Sequence, residues 1–357
     1  MYYSGIDLHK NNCLITTIDE QGKIIKQDRI NNTDYNILNY FFSCKGKHKA
    51  VVESTNNWYW LCDLLHEHDI DVVLAHAKYL KAISYAKVKT DKVDSLTLAQ
   101  LLRMNLVPTA HQISPEKRSM RDLMRARLRL VQKRTCCYNS IHVLLDKFNL
   151  SIPENMQLHN PSVFNRIEQI KLEPTYQFQL KAYIEQIKLL TDQIKEIENH
   201  LSSYLIPNED IKHLLSIPGI GKITAFTIYL EIDGITRFND VKKFFSYCRL
   251  VPGAKNSNRK QQHKSSKDGN RYLKLAFTEA AVRAVQYYKE IRQFYRKKLR
   301  KRHKAIARTI VAKELARIVY YVLKENTEFK TFKGTEISRK KKQIVAAPGK
   351  PLLRTGS

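Results

Sequence analysis

The sequence is short of the residues that punctuate loops. Its 357 residues include only 11 glycines and 10 prolines, which excludes a collagen-like chain, a Gly-rich repeat and a loop-rich β-sandwich. Cysteine is also sparse. Cys13, Cys44, Cys62, Cys136, Cys137 and Cys248 form no C-x-x-C pair, so a reduced, cytoplasmic setting is expected. No basic segment followed by an apolar core opens the chain, and no signal peptide is expected. The longest apolar stretch, residues 214–230, is broken by Pro218, Gly219, Gly221 and Lys222. It falls short of the ~20 apolar residues of a membrane-spanning helix. Acidic residues are outnumbered, 34 against 62 Lys and Arg, for a net charge of +28. Such an excess predicts a polyanionic partner, DNA or RNA, and no membrane. A hydrophobic content of 43% excludes a wholly disordered chain.

The charge is regional. Residues 1–110 hold 13 Lys or Arg against 12 Asp or Glu, so almost all of the positive excess lies beyond them. A nucleic-acid enzyme has reason to be divided this way, with carboxylates gathered for metal and basic residues gathered for phosphates. The first region reads as strands at 2–8, 13–18 and 23–30, a helix at 32–42, a strand at 49–53, a helix at 57–68, a strand at 71–75 and a helix over 91–104. Three strands in a meander followed by alternating strands and helices predict a mixed α/β domain, in an order that resembles the ribonuclease H-like fold. Residues 111–206 read as helical. An arginine-rich segment with Arg118, Arg121, Arg125, Arg127, Arg129 and Arg134 precedes a heptad seam of Leu180, Tyr183, Ile187, Leu190, Ile194, Ile197 and Leu201. That seam predicts a coiled coil, either between two copies or as an internal hairpin with the arginine-rich helix. Residues 207–335 read as a second, mainly helical unit, and 336–357 as a basic, disordered tail.

Four acids have the placement that phosphodiester chemistry requires. Asp7 ends the first strand and Glu53 the fourth, while Asp91 and Asp94, spaced i, i+3, share a helix face. Two divalent cations ~3.5–4 Å apart stabilise the attacking and leaving oxygens of such a reaction, and hard cations such as Mg²⁺ need converging oxygen ligands. Asp91 has an alternative role as the helix N-cap. In the second unit Pro218-Gly219-Ile220-Gly221 resembles a helix-hairpin-helix turn, with Gly219, Gly221 and Lys222 placed for a phosphate. A polar, basic loop follows, with Ser257, Ser265 and Ser266 among Arg259, Lys260, Lys264, Lys267 and Arg271. From composition alone the three serines are equal candidates for a nucleophile. These residues fit a metal nuclease that uses water, a strand-transferring enzyme, or a non-enzymatic nucleic-acid binder.

The fragments GIDLHK, VVEST and KTDKVDSLTLAQLL at the front, and SIPGIGKITA, RFNDVKKFFSYCRLVP and KDGNRYLKLAFTEAA at the back, are similar in their joint order to one family. Over about residues 1–325 the chain resembles the transposases of the IS-one-ten and IS-eleven-eleven insertion sequences, the bridge-RNA-guided recombinases. The resemblance implies a RuvC-like N-terminal domain with a DEDD metal site, here Asp7, Glu53, Asp91 and Asp94 binding Mg²⁺. It also implies a coiled coil and a C-terminal transposase domain with a nucleophilic serine. Ser257, five residues after Pro252, matches that serine, with Asn258 in place of a glycine. Arg249 stands where the family has glycine before Leu-Val-Pro. A phosphoserine–DNA intermediate, a bridge RNA, a dimer or tetramer joined through the coiled coil with acids and serine from different subunits, and a bacterial, nucleoid-associated location are likewise implied by the resemblance.

Overall fold

The computed structural model describes residues 1–83, 90–150, 161–206, 208–257, 260–264 and 268–331, with backbone alone for 161–162, 254–257 and 260–264. The chain forms two compact units, Met1–Ile113 and the residues from Ser114 onward.

The first unit contains β1 (Tyr2–Leu8), β2 (Asn12–Ile18), β3 (Ile24–Asn31), α1 (Asp34–Phe42), β4 (His48–Glu53), α2 (Trp58–Glu67), β5 (Asp71–Ala75), α3 (Ala77–Ile83) and α4 (Asp91–Arg103). The strands lie in the order β3-β2-β1-β4-β5. β1 and β2 pair antiparallel, as do β2 and β3, whereas β4 runs parallel to both β1 and β5. The meander is short because Asp19 Oδ1 accepts from the amides of Gln21 and Lys23, closing the turn at Gly22 (φ +87°). Parallel neighbours need longer crossovers, which α1 and α2 supply. One sheet face packs Ile6, Ile15, Ala50 and Val52 against Ile37, Phe41, Leu61 and Leu65. The other packs Val51 and Ala75 against Leu80, Leu98, Leu101 and Leu102.

α4 lies unusually close to β1, and Gly5 permits it. A β-carbon there would overlap the Ser95 carbonyl oxygen and come within 2.5 Å of the Ala99 amide. A buried hydrogen bond between Thr16 and Ser95 hydroxyls (2.7 Å) fixes the same contact.

The second unit contains α5 (Pro115–Asp146), α6 (Pro161–Glu168), α7 (Pro174–Leu205), α8 (Glu209–Leu215), α9 (Lys222–Ile232), α10 (Val241–Tyr247), β6 (Gly253–Ser257), β7 (Lys260–Lys264), α11 (Arg271–Tyr287), α12 (Lys289–Leu299) and α13 (Lys304–Glu325). The heptad seam closes within the chain. α5 and α7 run antiparallel, with Arg127 paired to Glu198 (2.6 Å) and Arg134 bonded to Thr191 (3.1 Å). Leu180 and Ile187 are buried against Ile141, Leu144 and Leu145. The base of this hairpin enters the C-terminal core, where Met124, Leu201 and Leu205 join Phe226, Phe244, Phe277, Leu315 and Val319. Described residues on both sides of position 207 thus share a core. The tail at 336–357 lies outside the described residues. Among the described residues no helix is long and apolar enough to cross a membrane.

Replacing Gly5 by alanine is expected to push α4 off the sheet. Overpacking of this kind costs about 1–3 kcal/mol, and urea denaturation of the full chain should show the loss in its midpoint.

Candidate active site

Strand register brings the first two acids together. Ile6 pairs with Val52 in the parallel β1–β4 ladder, so Asp7 and Glu53 follow at neighbouring positions on strands about 4.8 Å apart. Side chains alternate along a strand. Ile6 and Val52 enter the core beside α1 and α2, while Gly5 and Val51 face α4. Asp7 and Glu53 therefore share the α4 face. α4 begins there too, and its cap is Thr90 rather than Asp91: the Thr90 hydroxyl accepts from the Val93 amide (3.3 Å). That leaves the carboxylates of Asp91 and Asp94 in the first turn, where free amides favour negative charge.

Asp7, His9 and Asp91 converge, each offering a ligand atom within 4.8 Å of the others. His9 Nε2 lies 3.2 Å from Asp7 Oδ2 and 3.5 Å from Asp91 Oδ2. The His9 backbone is fixed by Asn32 and Asn57, whose amides donate to its carbonyl (2.9 and 3.1 Å). Arg29 Nη2 donates to Asp91 Oδ2 (2.5 Å) and Nη1 to Asn12 Oδ1 (2.9 Å). Burial raises the pKa of Asp7 above the usual carboxylate value; His9 opposes this, and the charges of Asp91 and Asp94 add to it. The Arg29 hydrogen bond, opposed by desolvation and aided by His9, holds Asp91 below that value. Of the four expected acids, Asp7 and Asp91 meet across His9 with carboxylate oxygens within 4.8 Å, and Asp94 is near enough to act on Asp7. Glu53 stands beside Asp7 in the register but outside the three-residue cluster. Crowded carboxylate oxygens suit a hard divalent cation, so the donor set fits one.

Sequence reasoning passed over His9 and Arg29. His9 was legible, because it follows Asp7 by two, just past the end of β1. Arg29 required the register: Asp7 pairs with Leu14, and Leu14 with Arg29.

The candidate serine segment leaves from a well-defined stem in the second unit. Ser257 pairs with Lys260 at the end of the antiparallel β6–β7 ladder, and Gly253 with Lys264 at its start. The side chains of Ser257, Lys260 and Lys264 lie outside the described residues, as do Asn258, Arg259, Ser265, Ser266 and Lys267 entirely. At the stem the Asn270 amide donates to the Tyr247 carbonyl (2.6 Å), and Arg249 Nε to the Gly269 carbonyl (2.5 Å). Gly269 has φ +91°, and a β-carbon there would sit 2.5 Å from the Tyr247 oxygen. Asn270 caps α11 by accepting from the amides of Tyr272 and Leu273, and its Nδ2 donates to Glu231 Oε2 (2.6 Å). Glu231, almost fully buried, also receives Arg125 in a bidentate pair (2.6 and 2.7 Å).

The two glycines of the Pro-Gly-Ile-Gly turn differ. Gly219 (φ +84°) packs on α11, where a β-carbon would overlap the Ala280 carbonyl, so packing alone requires glycine. Gly221 is the N-cap of α9, has open space around its α-carbon, and is exposed, as is Lys222.

Two family models match the chain. One, described as "Transposase IS116/IS110/IS902 family", covers residues 211–296, and a DEDD-type IS110 transposase model covers residues 4–150. Together they span well over half of the sequence. The chain belongs to the IS110/IS116/IS902 transposase family. It is 24% identical over 337 residues to the transposase for insertion sequence element IS1328 of Yersinia enterocolitica, covering 91% of this chain and 97% of that protein. It is also 24% identical over 294 residues to the transposase for insertion sequence element IS1111A of Coxiella burnetii, covering 80% of this chain and 78% of that protein. For this transposase, the DEDD-type domain and the Asp7–His9–Asp91 cluster point to divalent-metal dependence.

The cluster has a measurable cost in the metal-free protein. Because the folded pKa of Asp7 is raised, its ionised form opposes folding above that pKa, and the penalty fades as pH falls towards the ordinary carboxylate range. Asp7→Asn is therefore expected to raise the thermal midpoint at pH 7 in EDTA, with a gain that shrinks as the pH approaches 4. Millimolar Mg²⁺ should stabilise the wild type more than the variant.

Proposed function

We propose that this transposase cuts and rejoins DNA through a serine-linked intermediate, with a ribonuclease H-like, RuvC-type domain as its metal-binding half. The observation that carries the reading is the convergence of Asp7, His9 and Asp91 where β1 and α4 meet. The sheet order β3-β2-β1-β4-β5, with acids at the ends of the two central strands, supports the fold assignment.

Asp7, Glu53, Asp91 and Asp94 would hold Mg²⁺, as two ions. A divalent cation bound there supplies charge stabilisation to the attacking and leaving oxygens of the phosphodiester. His9 keeps Asp7 and Asp91 in place through its Nε2. Ser257 Oγ attacks phosphorus. The Oγ–P bond forms, the bond from phosphorus to the deoxyribose oxygen breaks, the serine proton departs, and the leaving oxygen gains one. Attack by another strand's hydroxyl reverses these changes and restores the serine, so no ATP is consumed.

Gly221 and Lys222, at the exposed start of α9, are placed to meet a phosphate in a helix-hairpin-helix contact. Gly219 shapes the turn, and Arg259, Lys260, Lys264, Lys267 and Arg271 hold the strand around Ser257. A bridge RNA on the basic surface would select targets by base pairing. Acids and serine would come from different subunits of a dimer or tetramer joined by surfaces other than the internal heptad seam. The assignment of residues 1–110, 111–206 and 207–335 to metal binding, assembly and strand transfer is part of this reading, as is a place at the bacterial nucleoid.

The test uses the full chain purified with its RNA, Mg²⁺ and DNA spanning an insertion junction. Wild type should give a denaturant-resistant protein–DNA adduct, and Ser257→Ala none. Asp7→Ala should lower cleavage by roughly a hundredfold or more, the scale on which lost transition-state charge stabilisation is felt. An adduct that survives Ser257→Ala overturns the serine assignment, and cleavage with no adduct in the wild type points to attack by water.

A further inference from the structure

Arg249 occupies a backbone position made for glycine. It follows the cap of α10 with φ +54°. Its amide donates to the Ser246 carbonyl and the Leu250 amide to the Phe245 carbonyl, both at 3.0 Å. These two bonds make a Schellman turn, whose left-handed residue is normally glycine because a β-carbon is crowded there. An arginine in that place is a strained choice, and strained residues gather at functional sites.

Among the described residues the side chain does not recover the strain through an ion pair. Its Nε donates to the Gly269 carbonyl (2.5 Å), leaving the outer guanidinium nitrogens to other use. Its neighbour in charge is another arginine. Burial, and after it the charge of Arg271, hold Arg249 below the ordinary guanidinium pKa. Arg271 is exposed, with Nη2 on the Tyr272 hydroxyl (2.9 Å). Among the described residues neither guanidinium has a carboxylate partner. Arg249 thus reaches the carbonyl two residues before Arg271, and two cations stand at the two ends of the segment that carries Ser257, an arrangement that an anion would relieve.

We propose that Arg249 and Arg271 form a two-guanidinium clamp for one DNA phosphodiester at the stem of the Ser257 segment. The guanidinium fork matches two phosphate oxygens, and a second fork beside it neutralises the same anion. The clamp deepens the strand-transfer reading and rests on it for the identity of the DNA strand.

Three measurements on the full chain test it: the thermal midpoint, the salt dependence of binding to a fluorescein-labelled duplex spanning the insertion junction, and adduct yield. Arg249→Gly is expected to raise the midpoint by about 2–4 °C by relieving the turn. It should reduce the slope of log affinity against log salt by about 0.9, the value for one phosphate contact, and cut adduct yield at least tenfold. Arg249→Lys should keep the slope, and Arg271→Ala should reduce it as Arg249→Gly does. An unchanged slope in Arg249→Gly overturns the clamp. A lower midpoint also overturns it, by making Arg249 a structural tie to Gly269. Ser257→Ala separates the two ideas: it should lose the adduct and keep the slope. If it keeps the adduct, the serine reading fails while the Arg249 slope still decides the clamp.

Discussion

The metal half of the site depends on a missing side chain. With only hydrogen at position 5, the backbone of α4 reaches the backbone of β1, and the first turn of the helix arrives beside the end of the strand. Thr16 and Ser95 lock that approach from β2, and Gln27 Nε2 reaches the Lys92 carbonyl from β3 (3.3 Å). Acids nearly ninety positions apart in sequence become neighbours through this packing and the hydrogen bonds that lock it. Their mutual repulsion works against the contact, so the apolar face of Val51, Leu98, Leu101 and Leu102 must hold the carboxylates together without help from them.

The second unit handles a buried carboxylate in the opposite way. Glu231 is satisfied on both oxygens, by Arg125 and Asn270. A fully paired buried charge contributes little net stability but fixes geometry, since removing either partner strands the other. Here it ties α5, α9 and the cap of α11 to one point, and that point anchors the stem of the serine segment. Asp7 has only an imidazole within ion-pair distance among the described residues, and its pKa is raised. Incomplete pairing in a crowded acidic site is the mark of a group prepared for something else to bind.

The strands of the first unit were legible because each alternates or ends cleanly. Residues 2–8 and 71–75 are read with the bounds that the structure shows, the other elements read there differ by one or two residues, as helix and strand ends do, and α3 is missed. Asp7 and Glu53 stood out as acids at strand ends. Three things were hidden. Arg29 became visible only once pairing across β2 was known. The β6–β7 ribbon carries Lys-Gln-Gln-His-Lys on one side, a polar run with no apolar alternation, so nothing marked it as strand. The heptad seam fitted two partners equally well, since periodicity reports an apolar stripe and not what covers it. The glycine at position 249 in the family's pattern was a clue of another kind: it marks a left-handed turn that this chain keeps, φ +54°, with an arginine in it.

The uneven charge of the sequence follows from the same logic. A cluster of carboxylates repels a phosphodiester, so it can approach DNA only when cations stand between them. Lysines near those acids would quench them as ion pairs and compete for the ligand positions. The first 110 residues carry little net charge, and among the described residues the side chains within ion-pair distance of Asp7 and Asp91 are one imidazole and one half-exposed guanidinium. Exposed pairs of that kind are weak and screened, so Asp91 can exchange Arg29 for a divalent ion without dismantling the fold. The remaining residues, freed from holding metal, can carry the positive charge that a polyanion requires. On the clamp proposed above, Arg249 and Arg271 extend that division to the stem of the serine segment, where a bound phosphate would offset two like charges.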